Sequence, residues 1–249
     1  MTLPPGPLRN MIIPVVDLQT GMVVHGRAGK RSAYRPVEGV HGVSPTPAAI
    51  GRWLAELGFR LCYVADLDAI GRADPQWDAY HELTDCGLEL CIDAGIRDAA
   101  QAAELAEGLC RRTLSARLVV GLETVVGREH LGSIHAALRE ASAPAPWFSL
   151  DLHGGRPLGS PQRNESPIDW AEAAFDAGFG HLIVLDLAHV GMDQGPPSLA
   201  LCATLHARFP EMHLVAGGGI RGWDDLRRAR SAGCSAALVA TALHAGRLP

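Results

Sequence analysis

The feature that most constrains the fold of this 249-residue chain is a pattern that recurs half a chain later. Arg97 and Arg221 each follow Gly-Ile after an apolar run and a glycine, and a polar, helix-like segment comes next. Three more pairs of stretches match in the same order: VVDLQTG with SLDLHGG, VADLDA with VLDLAH, and LVVGLET with ALVATAL. One pair alone would be unremarkable, but four pairs in register predict a fold built from two similar halves.

Short apolar runs also alternate with longer runs of helical period. Strands are predicted at 11–16, 61–66, 88–93, 117–121, 147–151, 181–186, 213–217 and 236–240. Helices are predicted around 46–57, 75–85, 98–108, 128–141, 167–177, 197–208 and 222–232, with a short one from 241. Strands that are apolar on both faces are typical of a parallel sheet covered by helices.

Eight strand–helix units is the number found in a (β/α)8 barrel. A doubly wound sheet would instead carry a Gly-rich turn after its first strand, and this chain has none there. We therefore predict the α/β class, with a single (β/α)8 TIM barrel over residues 11–249 and a two-fold half-barrel repeat. Residues 1–10 are expected to form a flexible lead-in.

Composition argues against several kinds of partner. The net charge of −5 gives no basic face for nucleic acid. No apolar run approaches the ~18 residues of a membrane span, and the N-terminus lacks a signal-peptide core. Six cysteines without a Cys-x-x-Cys pair favour reduced thiols and a cytoplasmic location. None of the eleven histidines has metal-ligand spacing, so we expect no metal. No obligatory protein partner is expected either.

Two aspartates are the candidate catalytic residues. Asp17 ends the first predicted strand and Asp151 ends the fifth, at matching points of the repeat. The ends of these strands face each other across the mouth of an eight-stranded barrel, where active sites of this fold form. Two carboxylates in unlike surroundings would divide into an acid and a base. The alternative is that each aspartate only caps the loop that follows it.

A phosphate site is expected between the last two strands. Gly218 and Gly219 follow strand seven, Ala240 ends strand eight, and Thr241 follows it. Glycines there let backbone N–H groups approach an anion closely, at the usual phosphate position of such barrels. The equivalent cup of the first half, built on Gly95, carries Leu122 in place of the threonine and the acidic Glu123.

Other polar residues near strand ends are candidates for substrate contacts. Asp93 stands where the second half has Gly217, so it would point into the site. The long first loop, 18–44, carries several basic residues, and it would either close over an anionic substrate or form a solvated basic loop. The remaining candidates are Arg31 from that loop, Asp186 at the end of strand six, and two histidines that follow strands five and six, His153 and His189.

Together these stretches resemble a known family. IPVVDLQTGMVV, YVADLDA, DAGIRD, FSLDLHGGR, VAGGGIRGWDDL and ATALHAGRL resemble, in order, conserved blocks of the histidine-biosynthesis barrels. The isomerase of phosphoribosylformimino-aminoimidazole-carboxamide ribotide is nearer in sequence than its sister cyclase. The resemblance implies a two-fold repeated barrel with Asp17 as general base and Asp151 as general acid. The implied reaction is an Amadori rearrangement that converts an aminoaldose into an aminoketose without a cofactor.

Departures from that family leave three functions open. The stretch GRPLGSPQRNE lacks the tryptophan that the isomerase has beyond its fifth strand, and the second phosphate cup is altered. VVHGRAGKRSAYRPVEG, YVADLDAIGR and GLET are more similar to a divergent, isomerase-like branch found alongside enzymes that make one-carbon carrier cofactors. The leading hypothesis is an isomerase of a phosphorylated sugar or sugar-amine. The alternatives are a lyase or synthase in cofactor biosynthesis, and a non-catalytic barrel that binds a phosphate ligand.

Overall fold

A closed barrel of parallel strands organises the chain. The computed structural model describes residues 6, 8–27, 29–37, 42–141, 143–158, 165–192 and 194–248. The last barrel strand pairs with the first, for example Ile13 with Leu238, and this pairing closes the sheet. The barrel strands are β1 (Ile12–Gln19), β3 (Leu61–Asp66), β4 (Glu89–Asp93), β5 (Ala116–Gly121), β6 (Trp147–His153), β8 (His181–Asp186), β9 (His213–Gly217) and β10 (Cys234–Val239). The predicted (β/α)8 barrel is confirmed.

Helices surround the barrel, and several begin at caps that the sequence supplies. Thr46 accepts a hydrogen bond from the N–H of Ala49, and Asp98 accepts one from that of Gln101. These bonds satisfy N–H groups that a helix start leaves free. The helices are α1 (Pro47–Glu56), α2 (Leu67–Arg72), α3 (Trp77–Asp85), α4 (Ala99–Arg111), α5 (Leu131–Glu140), α6 (Pro167–Asp176), α7 (Leu199–Arg208), α8 (Trp223–Ser231) and α9 (Thr241–His244).

Helix α2 was not predicted from the sequence pattern, and neither were the short strands β2 (Met22–Val24) and β7 (Arg156–Pro157). Asp66, the last residue of β3, accepts hydrogen bonds from the N–H groups of Asp68 and Ala69. The chain therefore turns directly from strand into helix, and a six-residue helix is too short to show a clear period.

The core has two parts, separated by the barrel wall. Inside the barrel, each strand contributes one buried apolar side chain: Ile13, Tyr63, Cys91, Val119, Trp147, Ile183, Val215 and Leu238. A larger apolar layer lies between the barrel and its helices, where Phe148 packs against Trp170 and Phe179. The filled interior leaves room for a ligand only above it, at the mouth where the strands end.

The two-fold repeat is visible in the topology. The first strand of each half turns back on itself as an antiparallel hairpin: β2 (Met22–Val24) pairs with β1, and β7 (Arg156–Pro157) pairs with β6. Gly21 and Gly154 allow these turns, because both have positive φ angles. Both hairpins extend the wall of the mouth beside the two candidate catalytic aspartates.

The N-terminal segment is partly outside the described residues, which do not include 1–5 and 7. Arg9–Met11 form a single 3-10 turn. Arg9 lies over the ring of Phe59 and donates a hydrogen bond to the carbonyl of Leu57. Among the described residues, no helix has both the length and the apolar character that a membrane crossing requires.

Candidate active site

A cavity opens at the C-terminal mouth of the barrel. Its volume is about 1030 Å³, including the solvent-open space above it. Four acidic side chains line it, from the ends of three strands and from the loop after β5: Asp17, Asp93, Asp151 and Glu123. Tyr63, Tyr34 and Arg31 also face it. The cavity therefore combines ionisable groups with an apolar floor, as small-molecule sites commonly do.

Asp17 lies on β1, deep in the mouth but partly open to the cavity. Its carboxylate accepts a hydrogen bond from the N–H of Gly26 on the returning hairpin segment. A side chain at Gly26 would clash, since a Cβ there would lie 2.7 Å from Asp17 Oδ2. Burial raises the pKa of Asp17 to about 6, against the opposing effects of the Gly26 N–H and of Arg31.

Asp151 faces the cavity from β6 and is only 3% exposed. The hydroxyl of Ser149 donates a hydrogen bond of 2.6 Å to its Oδ1, and the N–H of Glu123 donates one of 3.2 Å to Oδ2. Burial is the main cause that raises the pKa of Asp151 to about 8, and the negative charge of Asp93 is the next. At neutral pH this carboxyl group therefore keeps its proton.

Asp93, from the end of β4, also faces the cavity. Its Oδ1 accepts a hydrogen bond from the N–H of Gly95, and its Oδ2 accepts one of 3.3 Å from the hydroxyl of Tyr63. Burial raises the pKa of Asp93 to about 6, and these two donors oppose that rise. The sequence comparison of the two halves had pointed to this residue, and it lines the cavity.

Gly218, Gly219, Ala240 and Thr241 line the opposite part of the cavity wall, after β9 and β10. Gly218 and Gly219 have φ angles of 84° and 86°. A Cβ at Gly218 would also lie 2.5 Å from the carbonyl oxygen of Asp186. This glycine turn is therefore required by both conformation and space. Its backbone faces a cavity rim that also carries Arg221 and Arg247.

The equivalent region of the first half is built differently. Leu122, which matches Thr241, is buried, and its N–H donates to the carbonyl of Ser149. The carboxylate of Glu123 forms an ion pair of 2.6 Å with Arg31. Gly95 is buried against α2, where a Cβ would lie 2.6 Å from the Cα of Ile70, and it does not line the cavity.

The first loop brings two further residues over the cavity. Arg31 reaches Glu123 from a 3-10 turn, Arg31–Ala33. Tyr34 lines the cavity beside it, and burial, followed by the charge of Asp17, raises its pKa to about 12. The part of this loop formed by residue 28 and residues 38–41 lies outside the described residues.

Asp186 and His153, which were candidates for substrate contacts, lie outside the cavity lining. Asp186 accepts hydrogen bonds of 2.9 to 3.1 Å from the N–H groups of Gly154, Gly155 and Ala188. Burial would raise the pKa of Asp186, but these donors outweigh it and the pKa is lowered. His153 is exposed at the β6–β7 hairpin. Neither residue lines the cavity, so Asp186 organises the hairpin loop instead.

The arginines of the repeated Gly-Ile-Arg pattern make structural contacts. Arg97 donates to the carbonyl groups of Ile70 and Gly95. Arg221 forms a two-pronged pair with Asp225 at the start of α8, while its side chain still borders the cavity.

Sequence reasoning did not single out Tyr63, which faces the cavity, and it noted Tyr34 only as part of the long first loop. Tyr63 lies opposite Val15 on the neighbouring strand. It sits within an apolar run, and nothing in that run distinguishes it from a core residue. Within the described part of the chain, no group of three or more His, Cys, Asp or Glu side chains is arranged to hold a metal ion.

The fold and this cavity define a (β/α)8 barrel with ionisable residues at the C-terminal ends of its strands. The sequence profile of the histidine biosynthesis protein family matches residues 11–249, and the chain belongs to that family. A relative from Methanocaldococcus jannaschii, whose function is uncharacterized, is 28% identical over 244 residues, covering 95% of this chain and 94% of the relative.

Two further relatives have a named activity. The 1-(5-phosphoribosyl)-5-((5-phosphoribosylamino)methylideneamino) imidazole-4-carboxamide isomerase of Maricaulis maris is 26% identical over 257 residues, covering 95% of this chain and 94% of that enzyme. The enzyme of the same name from Haloarcula marismortui is 27% identical over 249 residues, covering 95% and 92%. The family therefore includes isomerases whose substrate carries phosphoribosyl groups.

Proposed function

We propose that this protein is an isomerase that converts a phosphorylated aminoaldose into an aminoketose, with Asp17 as general base and Asp151 as general acid. The observation that carries the proposal is the difference between these two carboxyl groups in one cavity. Asp17, with a pKa of about 6, is ionised at neutral pH, whereas Asp151, with a pKa of about 8, is protonated. Catalysts of proton transfer are most effective when their pKa values lie near the working pH.

The proposed reaction is a series of proton transfers through the two aspartates. Asp151 donates its proton to the ring oxygen of the aminoaldose, the bond from this oxygen to C1 breaks, and a Schiff base forms between C1 and the amine. Asp17 then removes the proton from C2, and the electron pair moves to give an enolamine. Asp17, whose proton can exchange with solvent, then protonates C1, and Asp151 accepts the proton of the C2 hydroxyl, so that the aminoketose forms and both residues return to their starting states. No external oxidant or reductant is needed, because C1 is reduced as C2 is oxidised.

A phosphate group anchors the substrate at the glycine turn after β9 and at the start of α9. Gly218, Gly219, Ala240 and Thr241 offer closely approachable backbone beside two arginines. In the other half, Glu123 would repel a phosphate. Arg31, which could otherwise bind the phosphate, forms an ion pair with Glu123. We therefore expect a substrate with one phosphate, smaller than the two-phosphate intermediate of histidine biosynthesis.

A lyase or synthase step in the biosynthesis of a one-carbon carrier cofactor is the second candidate. The altered first-half cup favours it, because an enzyme that acts on the two-phosphate aminoaldose of histidine biosynthesis needs two phosphate sites. The same aspartates and the same phosphate cup would serve such a reaction. A barrel that only binds a phosphate ligand is less well supported, since it has no need for two carboxyl groups with separated pKa values in one cavity.

The direct test is turnover of defined substrates by purified protein. The two-phosphate aminoaldose of histidine biosynthesis is followed by its absorbance change, and N-substituted aminoaldoses with one phosphate are followed by product analysis. We expect turnover of a one-phosphate aminoaldose, and none by the matched Asp17→Asn variant. Efficient turnover of the two-phosphate compound would make the protein a histidine-pathway isomerase. Turnover of neither, or full activity of Asp17→Asn, would refute the two-aspartate isomerase.

A further inference from the structure

The two halves of the barrel differ at one pair of neighbouring positions, where a larger side chain on one strand accompanies a smaller one on the next. In the second half, Leu185 on β8 stands beside Gly217 on β9, and a Cβ on Gly217 would lie 2.9 Å from the Leu185 side chain. In the first half the matching neighbours are Ala65 on β3 and Asp93 on β4. A small residue has replaced the leucine, and a carboxylate has replaced the glycine. The space that leucine fills in one half is thus occupied by Asp93 in the other.

The strand next to Asp93 brings its carboxylate towards Asp151. Gly121, the last residue of β5, separates them: a Cβ there would lie 2.9 Å from Asp93 Oδ2 and 3.1 Å from Asp151 Oδ2. The two oxygens are therefore no further apart than the sum of these distances. Any residue larger than glycine would push into both carboxyl groups. The equivalent residue of the second half is Ala240, which faces no such pair.

Each of the two carboxyl groups accepts hydrogen bonds from one backbone N–H and one hydroxyl. The donors are Gly95 and Tyr63 for Asp93, and Glu123 and Ser149 for Asp151, so hydrogen bonds alone do not decide which group is charged. The positive charge of Arg31 lowers the pKa of Asp93, which favours the negative charge there. The other charged and titratable groups that act on Asp151 or on Asp93 come from neighbouring elements: Glu123 after β5, Arg31 from the first loop, and Tyr63 on β3. Asp17 lies across the mouth on β1. Arg31 itself is engaged in an ion pair with Glu123.

We propose that Asp93 and Asp151 share a single proton, and that Asp93 acts as a positioning residue whose negative charge keeps this proton on the general acid. The inference rests on the proposed function for the role of Asp151, but the sharing of the proton does not depend on the substrate. Because the two oxygens lie no further apart than the sum of the 2.9 Å and 3.1 Å that separate them from a Cβ at Gly121, a charge on one carboxyl group opposes ionisation of the other, and one of the two stays neutral. The pKa values of about 6 for Asp93 and about 8 for Asp151 agree with that order.

The test is a titration of the aspartate carboxyl carbons by ¹³C NMR in the free protein. Loss of a signal in Asp151→Asn assigns the Asp151 resonance. In Asp93→Asn, which keeps the shape but removes the charge, the Asp151 midpoint should fall by about one to two pH units. Asp93→Glu should keep the midpoint high. Glu89→Gln, which removes an exposed carboxylate at the other end of the barrel, should leave it unchanged.

A second variant tests the same pair without altering either carboxyl group. Tyr63→Phe removes the donor to Asp93, so the proton should move towards Asp93, raising its midpoint and lowering that of Asp151. An Asp151 midpoint that stays unchanged in both Asp93→Asn and Tyr63→Phe would overturn the proposal.

Activity separates the two proposals. With an active substrate, the alkaline limb of the kcat/KM profile should move down in Asp93→Asn by the same amount as the NMR midpoint. If no aminoaldose phosphate is turned over while the midpoint still shifts, the shared proton stands and the proposed function fails. If turnover is seen but the midpoint and the alkaline limb stay in place, the proposed function stands and the role of Asp93 is wrong.

Discussion

Replacing the general base should make the folded protein more stable at alkaline pH while it destroys activity. The change is Asp17→Asn, which keeps the size of the side chain and an oxygen that accepts from the N–H of Gly26. The pKa of Asp17 rises from 3.8 to about 6 on folding. The folded state therefore binds this proton more tightly than the unfolded state does, and the stability of the wild type falls as pH rises from about 4 through 6.

A difference of about two pKa units corresponds to about 3 kcal/mol at a pH above both values. Water in the cavity screens part of this energy, so Asp17→Asn should stabilise the protein by about 1–3 kcal/mol at pH 8. Near pH 4, where the carboxyl group of the wild type is protonated in the folded state, the gain should vanish.

Urea unfolding followed by circular dichroism at pH 4, 6 and 8 measures this difference. Asp225→Asn is the matched control, for which the opposite change in stability is expected at pH 8. Asp225 is 2% exposed, pairs with Arg221 and Arg228, and has a lowered pKa, so it stabilises the fold above pH 4 and that stability is lost in acid. Its loss should destabilise the protein at pH 8. An Asp17→Asn variant that is no more stable than the wild type at pH 8 would refute the reasoning about burial.

The other predictions concern the acid, the phosphate cup and its turn. Asp151→Asn should reduce kcat by about 10²–10⁴-fold with an unchanged circular dichroism spectrum, and a fully active variant would exclude it as the acid. Thr241→Glu should weaken binding of inorganic phosphate by more than about tenfold in calorimetry, because it places a negative charge beside the anion. Thr241→Ser should bind phosphate as the wild type does. Equal affinities of Thr241→Glu and the wild type would show that phosphate binds at another place. Gly218→Ala should lower the free energy of unfolding by about 1–3 kcal/mol, as a positive φ and the nearby Asp186 carbonyl both oppose a Cβ, and a stable variant would show that the turn can shift.

Most of the barrel could be read from the sequence because each strand is a short, doubly buried apolar run. The predicted strand at 181–186 has the same bounds in the structure, and that at 61–66 does too. Helix α2 was missed because its start depends on one side chain, Asp66, that bonds to the two N–H groups after it. A local hydrogen bond of this kind leaves no periodic signal.

The candidate site could be predicted only in part, because a position at a strand end does not say where a side chain points. Asp17 and Asp151 line the cavity, as do the glycine turn and Thr241. Asp186 stands at an equivalent strand end, yet its oxygens bond to the N–H groups of the β6–β7 hairpin. The sequence contains no record of that hairpin's position, which follows from the folded arrangement of two loops.

The proximity of Asp93 to Asp151 could not be predicted from the sequence either. The comparison of halves marked Asp93 as unusual, but its approach to Asp151 depends on Gly121 on the strand between them. Contacts across three strands follow from the register of the closed barrel and cannot be derived from residue spacing along the chain.

The central claim is that Asp17 removes a proton from C2 of an aminoaldose phosphate. The most direct measurement is NMR of the product formed in D₂O from one-phosphate and two-phosphate aminoaldoses, with wild type and Asp17→Asn side by side. The account predicts that the wild type forms an aminoketose that carries solvent deuterium at C1, and that Asp17→Asn forms none. An aminoketose produced equally by both proteins, or no reaction of any of these compounds with the wild type, would contradict it.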